Sequence, residues 1–402
     1  MECIKKFLND SYQSKLRHMA QSRSERYEDT IEHYKQIFLA HLNLVTKECS
    51  EGCVDNIICE EIRDVINEIQ PKEIEDFFDN LKEIYLFWID SKPIKAINLF
   101  KKLMKSKDLL RFKKAISPYD LYFKGRISDE VLTSWDMFHI PFNKRYLIQN
   151  QRYSLTGQPM LYIGGSVIDI AEEIEAENVD KLKLSLVTFI DNNFRIFDLR
   201  NNINEITDDI WLEKFLDIRS EKVYDKSTFF KMILSSVCSF QKRQELKGFS
   251  FCEEYVLPQL LAQILKNEKY DGIAYYSTKY YEQISNKNDM HVNIEFKENL
   301  AIFTKLNMKH VYDRVLYNKL FISAPIDKYK IYYVTMNDLN EINEEINQSG
   351  NQEKITNAER ILSSFERIYG KMEINGVSYV DTEYGKLHMY ELYTMLNRIL
   401  VE

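Results

Sequence analysis

The chain has 402 residues, enough for two or three domains with sizeable interiors. Its 45% hydrophobic and 29% charged residues, with only 7 prolines and 11 glycines, exclude a disordered or fibrous protein. A formal net charge of −8 argues against a general nucleic-acid-binding surface, because phosphate backbones are held by clustered lysines and arginines.

The opening MECIKKFLND lacks the apolar core of a secretory signal. The six cysteines (Cys3, Cys49, Cys53, Cys59, Cys238, Cys252) are too sparse for a disulfide framework, and the expected compartment is the reducing cytoplasm. The longest apolar run, IYLFWI at 84–89, falls far short of the roughly 20 residues that a membrane span requires, so no membrane partner is expected.

Up to about residue 110 the apolar residues recur at helical spacing, as at Ile58, Ile62, Val65 and Ile69 and again at Phe78, Leu81 and Tyr85. Pro71 and Pro93 break the pattern, and the reading is an all-helical module over residues 1–115. Within it, Cys49, Cys53 and Cys59 have a gap compatible with a metal knuckle, with His41 as the nearby fourth ligand. No second close Cys or His pair follows, so reduced core thiols and no metal are the expectation.

After Ser117-Pro118 glycines and β-rich runs appear, predicting a mixed α+β domain over residues 116–330. LYFKGRI at 121–127 reads as its first strand and KLSLVTFI at 183–190 as another. His139, in SWDMFHIPF, reads as a satisfied structural histidine. The segment RYSLTGQPMLYIGGSVIDIAEE at 152–173 reads as strand, turn, strand, glycine turn and a helix capped by Ser166. In that helix Val167, Ile170, Ala171 and Ile174 form a stripe. At about 100° per residue Glu173 falls roughly 60° from the stripe's centre, beside the core, while Glu172 points to solvent. Further on, EEYVLPQLLAQILKNEKYDGIAYYS gives a helix with Pro258 in its first turn and a stripe of Leu257, Leu260, Leu261 and Ile264. Asp271-Gly272 then turns the chain into a buried strand that closes at Ser277. A strand at 330–335, polar helical sequence over 338–374, a strand-like NGVSYV and a last helix in MYELYTMLNRIL make residues 331–402 a helical C-terminal appendage. The stripes on the helical ends suggest a homo-oligomer.

Arg152, the G-x-P-x-L-Y strand with Tyr162, the helical Glu173 and the block QLLAQ…YDGIAYYS ending in Ser277 resemble the RES family, named for its Arg, Glu and Ser. LYFKGRI resembles the family's opening strand, with Lys124 and Arg126 at its basic positions. The resemblance implies an ADP-ribosyltransferase-like fold and an enzyme that consumes NAD as substrate, often as the toxin of a toxin–antitoxin pair that causes growth arrest or serves in defence. An antitoxin or regulatory protein is the implied partner. In this reading the carboxylate of Glu173 stabilises an oxocarbenium-like state as the nicotinamide–ribose bond breaks. Arg152 and Arg126 hold the pyrophosphate through forked donors, Tyr162 stacks on nicotinamide, and Ser277 hydrogen-bonds its amide or the ribose. The acceptor stays open among water (a glycohydrolase), phosphate (a phosphorylase) and a macromolecule (a mono-ADP-ribosyltransferase). A non-catalytic RES-like scaffold is the rival from a different class. The N-terminal helices resemble the HEPN-like modules found ahead of some RES domains, and Arg26 and His33 have the spacing of the HEPN ribonuclease motif. Their acidic surroundings in RSERYEDTIEH oppose an RNA backbone, so a regulatory or oligomerising module is the expectation.

Overall fold

A computed structural model describes residues 3–46, 56–176, 179–207, 224–243, 251–278, 284–286, 297–329 and 333–401. The N-terminal helices are α1 (Ile4–Leu8), α2 (Asp10–Gln21), α3 (Tyr27–Val45), α4 (Asn56–Asn67), α5 (Pro71–Ile89) and α6 (Pro93–Ser106). There follow β1 (Lys113–Lys114), β2 (Tyr122–Ile127), β3 (Met160–Gly164), α7 (Val167–Glu173), β4 (Leu182–Phe189) and β5 (Ile196–Asp198). Next come α8 (Lys226–Val237), α9 (Val256–Asn267), β6 (Gly272–Tyr276), β7 (Ile284–Asn286), β8 (Glu298–Phe303) and β9 (Leu320–Ile322). The chain closes with α10 (Met336–Gln348), α11 (Gln352–Tyr369), β10 (Met372–Ile374), β11 (Val377–Ser378) and α12 (Glu383–Val401). The protein therefore mixes helices and strands, as an α+β chain does.

Two compact units emerge, each built from separated segments. The first comprises Met1–Lys114, Gln149–Thr156 and Phe197–Thr278. Its core is aromatic: Tyr34 and Phe38 of α3 and Phe78 of α5 meet edge to face, and Phe38 and Phe77 reach Phe229 and Phe230 of α8. Tyr27 and Tyr34 both set their rings edge-on to Phe240 at 5.8 and 5.5 Å. Such pairs are favoured by the ring quadrupole in addition to the area they bury. α5 opens at Pro71, where the missing N–H is one the first turn leaves unbonded anyway, and Asp225 caps α8 by accepting from the Thr228 amide at 2.9 Å. Strands β1, β5 and β6 hydrogen-bond in that order.

The second unit comprises Ala115–Ile148, Gly157–Ile196 and Lys279–Glu402. Its strands run in the order β8-β3-β2-β4-β9, each pair antiparallel. One face carries Phe123, Leu182, Leu184 and Leu186 and is covered by α7 and by α10, α11 and α12 in one continuous apolar core. A second sheet orders β11-β10-β7. Its hairpin turns on Asn375-Gly376, both at positive φ (51° and 79°), the conformation that a two-residue hairpin demands. Thr335 and Asp338 form a reciprocal capping box at the start of α10. Tyr333–Thr335, at the end of the expected strand at 330–335, is irregular and leads straight into this cap, while 330–332 lie outside the described residues.

Two titratable groups of α12 are buried in this core. His388 packs against Phe123, Phe365 and Tyr369, accepts or donates a bond with the Tyr379 hydroxyl at 3.1 Å, and is pushed down to about 3 by burial, so it is neutral. Glu391 receives the Ser323 hydroxyl at 3.0 Å and the Leu186 amide at 3.2 Å on Oε1, while Oε2 has no hydrogen-bond partner among the described residues. Burial raises its carboxyl to about 8, with the two hydrogen bonds pulling the other way. Folding thus favours the protonated acid: its stability contribution is complete below the ordinary glutamate range and is lost as pH rises towards 8. Glu391→Gln, which keeps the Oε1 acceptor and cannot ionise, should flatten the fall in melting temperature between pH 5 and 8 and raise stability at pH 8 by roughly 2 kcal/mol. Thermal melts across that range check it; parallel curves for both proteins would refute a protonated Glu391.

Candidate functional site

Strand β2 presents two cations. Phe123 and Gly125 face α7, and a Cβ at Gly125 would stand 2.4 Å from Ile170 Cγ2, so the intervening Lys124 and Arg126 are turned to the opposite face. Both are partly buried, and neither makes an ion pair or hydrogen bond with any described residue. Lys183, directly across from Arg126 on β4, differs: Asp327 neutralises it at 2.6 Å. Desolvation, followed by the neighbouring Arg126, pushes the Lys124 ammonium down to about 7. Burial also lowers Arg126, against the pull of Asp136 and Tyr312. Two like charges held together with no ion pair among the described residues are what an anion would need, with Arg126 contributing a planar fork and Lys124 a point charge.

Tyr312, which acts electrostatically on Arg126, belongs to an aromatic cluster. Trp135 stacks on Tyr317 at 3.6 Å and tilts against Tyr312 at 5.2 Å. His139 belongs to this cluster as a structural residue: Nε2 accepts from the Asp313 amide at 2.9 Å and Nδ1 lies 2.7 Å from the Ile140 carbonyl. Burial lowers its pKa, which suits a neutral ring with one donor and one acceptor nitrogen.

The other expected residues of this unit lie elsewhere. Register pairs Phe123 with Gly164, so strand alternation sets Tyr162 on the α7 face, away from Lys124 and Arg126. Tyr162 is partly exposed, with its hydroxyl 3.6 Å from Met160 Sδ. Glu173 ends α7 and is exposed, as is Glu172. The expectation that Glu173 sits beside the core is corrected: α7 has only 7 residues, its buried set stops at Ala171, and the chain leaves through Glu175 at φ 51°. Glu172 is solvent-exposed as expected, and its charge adds to burial in raising the Tyr384 phenol.

Arg152 and Ser277 belong to the first unit. Residues 151–154 form a tight turn and not the expected strand: Gln151 and Ser154 exchange backbone hydrogen bonds, and the Gln259 side chain of α9 donates to the carbonyls of Gln151 and Ser154. From this turn Arg152 Nη1 donates to the carbonyls of Cys238 and Phe240, both at 2.9 Å, and Nη2 donates to Thr278 Oγ1 at 2.9 Å. Its guanidinium also stands 4.9 Å from the Tyr255 ring centroid. Arg152 therefore ties the C-terminal end of α8 to the residue after Ser277. Ser277 itself is buried directly beyond β6.

The remaining motif residues are engaged locally. Arg26 is exposed and forked onto Asp29, with Glu28 nearby, while His33 Nδ1 meets Ser24 Oγ at 2.8 Å. His41 Nδ1 meets the Tyr12 hydroxyl at 2.7 Å. Cys49 and Cys53 lie outside the described residues, and Cys59 is buried beside Cys3. Sequence reasoning passed over Glu391, although its position 4 residues after Leu387 and next to Leu392 put an acid on an apolar stripe.

Part of the chain is similar to a bacterial protein described as a toxin. Over 192 residues, 46% of this chain, it is 32% identical to the Bacillus subtilis (strain 168) protein named "Putative toxin YopC". The chain spans 42% of that relative's length. No family model matches the sequence, and no solved structure matches it. Among the described residues no helix is long and apolar enough to cross a membrane.

The geometry makes two predictions. Pyrophosphate binding should weaken about tenfold between pH 6 and pH 8 as Lys124 loses its proton, and Lys124→Gln should bind weakly with no such pH dependence. Titration calorimetry at the two pH values decides; pH-independent binding by the unaltered protein would remove Lys124 from the site. Arg152→Ala, which strips the donors from two carbonyls, should lower stability by about 2–3 kcal/mol in urea unfolding, and Arg152→Lys by less. A loss no greater than that of a surface control would refute the tie.

Proposed function

We propose that the chain is a toxin-type enzyme that binds NAD and cleaves its nicotinamide–ribose bond, with water or phosphate as acceptor. The observation that carries the binding half is the Lys124–Arg126 pair, two partly buried cations that make no ion pair or hydrogen bond among the described residues, with Asp136 pulling on Arg126 from outside ion-pair distance. The pyrophosphate of a dinucleotide supplies the charge and the lone pairs that these donors lack. The bond-breaking half rests on the resemblance to the RES family and is consistent with the toxin name of the Bacillus relative. In it Glu173, exposed at the end of α7, provides a carboxylate to a developing oxocarbenium ion, and Tyr162 offers a ring face to nicotinamide. Arg152 and Ser277 enter through the resemblance alone. An antitoxin is the proposed restraining partner.

A second reading, a RES-like protein that binds anions without chemistry, is favoured by the strand alternation that sets Tyr162 and the cation pair on opposite faces. One assay separates the two. Purified protein incubated with NAD, with and without phosphate, should release free nicotinamide, and the companion product should be ADP-ribose or its phosphate ester. Glu173→Gln should slow this by roughly 10²–10³-fold with the fold intact, and Glu172→Gln should leave it unchanged. NAD that is bound and recovered whole selects the binding protein; equal rates for Glu173→Gln and the unaltered chain remove Glu173 from the chemistry.

A further inference from the structure

The second unit carries exposed apolar side chains set among cations. Beyond β8, residues 305–313 form an irregular loop: the His310 amide donates to the Asn307 carbonyl at 3.1 Å, and Asp313 draws the run together by accepting from the Lys305 amide at 2.7 Å and the Leu316 amide at 3.1 Å. Met308 is 88% exposed and Val315 69%, and Leu306 and Val311 are exposed with them. The Phe142 amide donates to the Val311 carbonyl at 2.8 Å, which ties a short 3₁₀ helix, Phe142–Leu147, to this loop. On that helix Tyr146 is 77% exposed, and Leu147 is exposed as well. A single exposed apolar side chain is ordinary, whereas several on two joined segments mark a contact surface.

The cations come from the same segments. Lys144 and Arg145 precede Tyr146, Lys309 follows Met308 and Arg314 precedes Val315; all four are exposed, and none makes an ion pair with a described residue. Asp313, the sole acid in residues 305–317, is buried and occupied by the two amides named above. Asp136, which acts electrostatically with Lys144, is held by the Thr133 hydroxyl and amide. In a chain of net charge −8 this is a local reversal of sign, and the partner that complements it is anionic.

We propose that this face docks on an anionic lipid membrane, with Met308, Val315 and Tyr146 entering the headgroup boundary and Lys144, Lys309 and Arg314 contacting the lipid phosphates and carboxylates. The order along the chain favours lipid over an acidic protein. Each of these apolar side chains has a cation as its immediate neighbour, so the apolar atoms turn towards the acyl chains while the charge stays at the headgroups. A phenol ring is at home at the same depth. The absence of a long apolar run bars a spanning helix and not attachment of this kind, so the membrane partner that the sequence leaves unexpected is a surface one. The net negative charge of the whole chain opposes adhesion elsewhere and leaves this face to approach.

The test sediments the full chain with phosphatidylcholine vesicles, with and without about 30% phosphatidylserine. The chain should pellet with the serine-lipid vesicles alone, and raising sodium chloride to about 0.5 M should weaken binding roughly tenfold or more. Lys309→Glu with Arg314→Glu should cost roughly tenfold or more in affinity, and Met308→Ser with Val315→Ser should weaken binding too. All four side chains are exposed, so circular dichroism should show both variants folded. Lys102→Glu with Lys105→Glu, at exposed positions of α6 in the first unit, should bind as the unaltered chain does. No pelleting with the anionic vesicles, equal binding to phosphatidylcholine alone, or binding unchanged by either pair of loop substitutions would overturn the proposal. Binding of soluble polyglutamate without binding of vesicles would overturn it in favour of an acidic protein.

Discussion

The missing side chain at Gly125 is the constraint on which the second unit depends. With no Cβ in the middle of β2, Ile170 rests directly on the strand backbone, and Ile174 and Leu182 close in from either side. α7 is thereby held against the sheet, and the strand's alternation leaves Lys124 and Arg126 no option but the far face. A larger residue at this position would lift α7 and disturb both the apolar core and the cation pair that shares the strand. The packing requirement and the anion site are two sides of one short run of backbone.

The two faces of this sheet treat charge in opposite ways. On the helix-covered face the titratable groups are neutral: the imidazole of His388 has lost its proton and the carboxyl of Glu391 has kept one, each in response to burial. On the other face charge is matched unevenly, since Lys183 has Asp327 whereas Lys124 and Arg126 make no ion pair among the described residues and Arg126 feels only the pull of Asp136 and Tyr312. Neutralisation of the core groups is what allows a glutamate and a histidine to sit on the inner stripe of α12. The uneven matching on the open face is what gives the site its sign.

Much of the local structure is legible in the sequence, because it follows from neighbours along the chain. The alternation in YFKGRI and LKLSLVTF gives β2 and β4, the stripe Leu257, Leu260, Leu261 and Ile264 gives α9, and Asn375-Gly376 gives a hairpin turn. The failures share one cause: they depend on atoms distant in sequence. RYSLT looks extended until the Gln259 amide reaches its carbonyls and folds it into a turn. Glu173 looks half-buried until the helix stops after two turns. The donors of Arg152 look free for a ligand, and nothing near position 152 shows that the carbonyls of Cys238 and Phe240 occupy them. The proximity of Cys3 to Cys59 leaves no local trace either.

The aromatic core of the first unit joins α3 and α5 to α8 and Phe240, and this order of assembly has a cost in time. A chain made at about 5–20 residues per second emerges with Phe38, Phe77 and Phe78 ready long before Phe229, Phe230 and Phe240 exist, a wait on the order of ten seconds. During that interval the N-terminal helices must carry uncovered rings or be shielded by another protein. A chain ended before Phe229, Phe230 and Phe240 would keep those rings uncovered for good, so this unit matures only after Phe240 has left the ribosome.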